Sequence, residues 1–273
     1  MKRKYRLVSL VFLAVLVAGV ATCLWSCGKA PVSPEETAER QLSRMGVTDA
    51  VFLGELTHEV LENQVLSYSS QENGYTYSFD PETALLRSIE DTDGEYPEDL
   101  PELSAEERDA QVMAQVTQWL QPYMVGEFRV FSQGDNNFAC SYTFEEHRDG
   151  YPTGMSVFVY CTHGGYIQTC DIIHGGIFTK KPNGDIALVD SRPLIAEEEA
   201  TAIGIAAATE AMEESSFPQT LLPEKTACTL RATGDRLFYY VEVYSQIEGL
   251  YEGYYQVLID PYDGTVQKVA QNN

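Results

Sequence analysis

The residues with the most chemical potential lie close together in the second half of the chain. Cys161-Thr-His163 is followed by Cys170-Asp-Ile-Ile-His174, which places four soft or borderline donors within 14 residues. Thiolate and imidazole are the donors that hold Zn(II) in tetrahedral sites. If Gly164-Gly165 form a two-residue turn, His163 faces Tyr166. Cys161, His163, Cys170 and His174 then share one face of a strand pair. Val157, Val159 and Ile172 fall on that face too, so half-buried core positions explain the cysteines more economically. A diagonal Cys161–Cys170 disulfide is the other structural reading. His174 lies too far along its strand to join Cys161 easily. The expectation is no metal and no cofactor, with these four residues as the one cluster to inspect.

Other chemistry is weaker. His58-Glu-Val-Leu-Glu62 begins like a zinc-protease helix, but Glu62 stands where the second ligand histidine must be. The chain has no G-x-S-x-G elbow, P-loop or dinucleotide glycine pattern. Asp91-Thr-Asp-Gly94 and Asp260 to Gly264 do not continue into a twelve-residue calcium loop, so both read as turns. Of 17 tyrosines, Tyr239, Tyr240, Tyr244, Tyr251, Tyr254 and Tyr255 could line a peptide or glycan surface. Tyrosine equally suits a half-buried strand. The chain therefore reads as a non-enzyme with no catalytic residue to name.

Charge narrows the partners. The 273 residues carry 18 basic and 41 acidic side chains, a formal −23. Lys2, Arg3, Lys4 and Arg6 all precede the first apolar run, leaving 14 basic against 41 acidic residues, or −27, in the rest. Such a surface repels phosphate backbones and anionic headgroups, which argues against nucleic acid. It favours cationic partners, or serves simply as a solvated face.

The same basic cluster opens a targeting segment. Leu7 to Trp25 is 19 residues without charge, long for a signal-peptide core and just long enough to span hydrocarbon. Positive flanking charge keeps the N-terminus inside and exports the remainder. Leu24-Trp-Ser-Cys27-Gly28 looks like a bacterial lipobox, in which Cys27 is diacylated, although Trp25 occupies a place where a smaller residue normally sits. The alternative is an uncleaved transmembrane anchor with Cys27 an ordinary cysteine. Both readings place the body outside the cytoplasm and tethered to the membrane. Four cysteines remain in that body, Cys140, Cys161, Cys170 and Cys228. They are too sparse for a disulfide scaffold, although one or two bridges are permitted there.

The elements that must position these residues come in repeats. Ser33-Pro-Glu-Glu36 is a helix start with a capping serine and an N-terminal proline, and it predicts a helix to about Arg44. Residues 47 to 69 fit either a helical stripe or a strand, and a hairpin follows at 74 to 90. Ser104-Ala-Glu-Glu107 starts a second helix carrying Val112, Val116, Trp119 and Leu120, followed by strands near 126–132, 138–146, 155–162 and 166–173. Pro193 to Ala200 starts a third, alanine-rich helix, with Ile195, Ala202, Ile203, Ala206 and Ala207 as its apolar positions. Strands at 225–232, 236–246, 253–260 and 264–270 complete the chain. The expected fold is α+β, about three tandem modules, each a helix on a small antiparallel sheet. The divisions are anchor 1–27, first module 28–90, acidic linker 91–103, second module 104–192 and third module 193–273.

The acidic start of the third helix, Ala196-Glu-Glu-Glu-Ala200, is followed by Tyr255-Gln-Val-Leu-Ile-Asp-Pro-Tyr-Asp-Gly-Thr-Val266. Together these motifs resemble the PepSY domain, a module of protease propeptides and bacterial envelope proteins. The resemblance covers 194 to 270 best, with fainter copies at 104 to 175 and 33 to 90. It implies a non-catalytic module that regulates peptidases or acts in the envelope. The expectation is a membrane-tethered extracytoplasmic binding or regulatory protein acting on a protein or peptide partner, with strand edges supplying main-chain hydrogen bonds. The alternative is an envelope enzyme or metal-handling protein using the Cys161 to His174 cluster.

Overall fold

The computed structural model describes residues 32–57, 63–92, 94, 100, 103–136, 139–181, 183–215, 219–247 and 252–272. The segments carrying Cys27, the 7–25 apolar run and His58 to Glu62 lie outside them. Among the described residues, no helix is long and apolar enough to cross a membrane.

The order is helix, then four strands, three times over, and the fold class is α+β. Helix α1 (Pro34–Arg44) precedes β1 (Val51–Thr57), β2 (Gln64–Ser69), β3 (Tyr75–Phe79) and β4 (Leu86–Asp91). Helix α2 (Ala105–Leu120) precedes β5 (Glu127–Asp135), β6 (Cys140–Arg148), β7 (Tyr151–Cys161) and β8 (Ile167–Ile173). After a short ribbon, β9 (Phe178–Lys180) with β10 (Ile186–Leu188), comes helix α3 (Glu197–Glu213). Then follow β11 (Gln219–Thr233), β12 (Arg236–Ile247), β13 (Glu252–Ile259) and β14 (Val266–Asn272). Within the ambiguous stretch at 47–69 the described residues form strands β1 and β2: the apolar residues of β2, Val65, Leu66 and Tyr68, are buried, whereas those of β1 are exposed. The ribbon had no apolar alternation to announce it.

Local signals set the helix starts. Ser33 Oγ accepts from Glu36 N at 3.2 Å, and Ser104 forms a complete capping box with Glu107. Each cap stabilises its helix by about 1 kcal/mol. α3 has no side-chain cap. Its approach is tied instead to the last hairpin, where Ile195 N donates to Pro261 O at 2.8 Å.

The first two units join edge to edge. Strand order is β1-β2-β3-β4-β8-β7-β6-β5, so the last strand of each unit pairs with the other in one eight-stranded antiparallel sheet. Both helices lie on one face over a continuous core. The row Tyr68, Tyr77, Ile89, Cys170, Val159, Tyr142 crosses six strands in register beneath them. All six are buried. The third unit is a separate four-stranded sheet, β11-β12-β13-β14, with its own core under α3.

The closing hairpins carry the repeat most clearly. In the first, Asp80 N donates to Leu85 O and Ala84 N to Asp80 O. In the third, Asp260 N donates to Thr265 O and Gly264 N to Asp260 O. The left-handed position is Ala84 (φ 54°) in one and Gly264 (φ 75°) in the other. The second hairpin is one residue shorter, from Thr162 to Tyr166, with Gly165 at φ 75°.

The third unit docks on the second through glycines. A Cβ on Gly154 would lie 2.1 Å from Gly234 O, and Gly176 N donates to Gly234 O at 2.8 Å. Beside that joint, Arg231 pairs with Glu145 at 3.0 Å and covers the Phe131 ring at 3.9 Å.

Candidate functional site

Hairpins β5–β6 and β7–β8 turn at the same end of the sheet, because Cys140 on β6 sits opposite Cys161 on β7. Asp135 pairs with Cys140 across the mouth of the first hairpin, and His163 lies in the second turn. The first turns of α2 come down over this end. The result is a connected polar cluster. Arg108, buried on α2, donates from Nε to Tyr142 Oη at 2.9 Å and from Nη2 to Asp135 Oδ2 at 3.0 Å. Tyr142 Oη donates to Asp109 Oδ1 at 2.5 Å, and Asp135 Oδ1 lies 3.0 Å from His163 Nε2. Contact with His163 and Arg108 holds the Asp135 carboxyl below its ordinary value. Burial pushes the Cys140 thiol up and the Cys161 thiol up to about 12, so both are protonated at neutral pH. A protonated buried thiol is a poor nucleophile.

The four residues singled out from sequence divide. His163 joins the polar cluster, with Cys161 beneath it in the core. Cys170 sits opposite Val159 in the middle of the sheet, and Cys161 is opposite Cys140 and Ile167. All four body cysteines are free thiols. His174 lies at the far end of β8, where Nε2 meets Leu86 O at 2.6 Å and the ring lies 5.1 Å from that of Tyr123. It borders a small cavity of about 50 Å³ shared with Glu146 and Thr153. Glu146 is fully used in holding the chain: Val125 N and Gly126 N each donate to Oε1, and Thr153 Oγ1 donates to Oε2, all at 2.6 Å.

The turn aspartates are similarly occupied. Asp80 Oδ1 accepts from Glu82 N and Thr83 N, Asp260 Oδ1 from Tyr262 N, and Asp263 Oδ1 from Thr265 N. The tyrosines split between two faces. Tyr239 and Tyr255 are buried under α3, whereas Tyr240, Tyr244 and Tyr254 alternate onto the other face of the sheet. Tyr251 lies outside the described residues. Sequence reasoning passed over Arg108, Asp109, Asp135 and Tyr142. The signal available was an arginine one turn into α2 on its apolar side, four positions before Val112.

The second feature is a strand edge. Among the described residues, β1 ends the eight-stranded sheet and pairs only with β2. Its apolar side chains are exposed on both faces: Val51 60%, Phe52 43%, Leu53 51% and Leu56 46%. Neighbouring β2 is buried at Val65, Leu66 and Tyr68. At the opposite edge, β5 also exposes Val130 and Phe131, but there Arg231 stacks on Phe131. An uncovered apolar edge is a template for another strand.

No protein-family model matches this chain, and no curated protein matches it. Among solved structures, it is similar to the Bacillus megaterium YpeB C-terminal domain, at 10% identity and a TM-score of 0.41. That similarity covers 88% of this chain and 97% of that one.

Proposed function

We propose that this chain is a membrane-tethered extracytoplasmic binding protein that takes up an extended segment of a partner protein as an added strand on β1. The observation that carries the reading is the exposed apolar edge Val51–Thr57 beside a buried β2. Main-chain hydrogen bonds along such an edge supply affinity, and alternate side chains supply selectivity. The balance of −27 beyond the targeting segment, with Glu55 on the edge itself, favours a cationic segment and fast, salt-sensitive association. The PepSY resemblance of residues 194–270 supports a regulatory role, with a peptidase or another envelope protein as partner. The uncharged run 7–25 and Cys27 support the tether.

The test uses full-length protein in detergent and extended β-prone peptides with lysine and arginine at alternate positions. Binding is expected to weaken with salt and to fall at least tenfold in the Leu53→Lys, Leu56→Lys double variant, with no change in thermal midpoint. Equal binding by the variant, or equal binding of acidic peptides, would remove the basis for the reading. So would a β1-to-β1 dimer that the variant dissociates.

A further inference from the structure

We propose that Asp135, Cys140 and His163 form a binding site for one borderline-soft divalent cation, with Zn(II) the best fit. The donor atoms of these three side chains all lie within 4.8 Å of one another. Tetrahedral zinc with oxygen, nitrogen and sulfur ligands needs spacings of about 3.5 Å, so a contraction on the order of 1 Å completes the set. The supports are firm where they must be. Asp135 and Cys140 face each other across the end of one strand pair, and His163 hangs from the adjoining turn. Only His163 and Asp135, both about half exposed, have to move.

The surroundings match a metal site in three respects. Cys140 is fully buried at the base, while the other two donors form a mouth open to solvent, so the ion has a path in. The second oxygen of Asp135 is held by Arg108, the outer-sphere hydrogen bond that orients a ligating carboxylate. Arg108 is in turn linked through Tyr142 to Asp109, so its positive charge is matched by a second carboxylate. Beyond the matched Arg108 and Asp109 charges, the ligand set offers the Asp135 carboxylate and the Cys140 thiol. Binding M²⁺ with release of the thiol proton to solvent leaves it neutral. No electrons move. The fourth position falls to water. This ligand set differs from a Cys161, Cys170 and His174 arrangement, which the length of β8 keeps apart. It also lies at the opposite edge of the sheet from β1, so the two proposals stand or fall separately.

The experiment titrates the full-length chain, in detergent with a phosphine reductant and stripped with a chelator, first with Co(II) and then with Zn(II). One Co(II) per chain is expected, with the thiolate-to-cobalt charge-transfer absorption that only a cysteine ligand produces, displaced by Zn(II). His163→Ala, a half-exposed position, should leave the circular dichroism unchanged and weaken binding at least about tenfold. Cys140→Ser should abolish the charge-transfer band, and Cys170→Ser should leave it intact. Cobalt binding without that band, or binding indifferent to His163→Ala, overturns the proposal. So does a Cys140–Cys161 disulfide, found by mass spectrometry of alkylated protein taken from its native envelope.

Discussion

Replacing Gly204 with alanine sets two physical effects against each other at one atom. Gly204 sits mid-helix on α3, between the buried residues Ala200 and Ala208. On helix propensity alone, alanine stabilises by about 1 kcal/mol. In this fold, however, the added Cβ would lie 2.6 Å from Val241 Cγ1 and 2.8 Å from Val241 Cβ. Val241 is fully buried on β12, a central strand of the four-stranded sheet, and its Cβ moves only if the strand moves. Either the helix lifts off the sheet, opening space over Val243 and Val257, or the strand bends. Overpacking of this kind costs about 1–3 kcal/mol, and contacts this short with a branch-point carbon belong in the upper half of that range. The net expectation is destabilisation of about 1–2 kcal/mol. Urea unfolding followed by tyrosine fluorescence reads the change, with Ala206→Gly on the exposed side of α3 as the propensity-only control, expected to cost about 1 kcal/mol. A Gly204→Ala protein more stable than wild type would mean that helix and sheet do not meet there, and the packing described for the third unit would be wrong.

The pH dependence of stability should carry the signature of His174. Burial lowers its pKa, aided by Arg87 and opposed by the Leu86 carbonyl and Glu146, so the unfolded chain holds the proton more tightly than the folded one. The stability is fully present above the unfolded value of about 6.5 and is lost as pH falls below it. The stability gap between wild type and His174→Gln should therefore narrow between about pH 7 and 5, and a constant gap would refute the assignment. At the N-terminus, mass spectrometry of protein from a bacterial envelope should find a chain beginning at a diacylated Cys27. An intact Met1 would make residues 7–25 a transmembrane anchor instead.

Repetition was legible because it is written in local chemistry. The capping serines at 33 and 104 announce their helices wherever the helices end up. The alternation at Tyr255, Val257 and Ile259 marks a half-buried strand without reference to its neighbours. The polar cluster was not legible, because its members come from α2, the β5–β6 hairpin and the β7–β8 turn. The distance between Arg108 and Asp135 is set by pairing and helix packing, not by spacing along the chain. For α3, periodicity pointed to Ile195, Ile203 and Ala207, which pack against the core, and also to Ala202 and Ala206, which are exposed. The fully buried centre of the packing face is Ala200, Gly204 and Ala208, where the smallest side chains allow the closest approach.

Short-range chemistry in the chain thus determined the three helix starts, most of the strands that follow them, the turn geometry of the closing hairpins and the strongly acidic composition. Tertiary structure alone decided that two units would share one sheet through β4 and β8, that β1 would form its edge among the described residues, and that His163 would meet Asp135 and Cys140 rather than His174. The reason is physical. Caps, turns and alternation are interactions among residues a few positions apart. Sheet edges, helix docking and convergent side chains depend on which surfaces exclude water together, and that is settled only when the whole core closes.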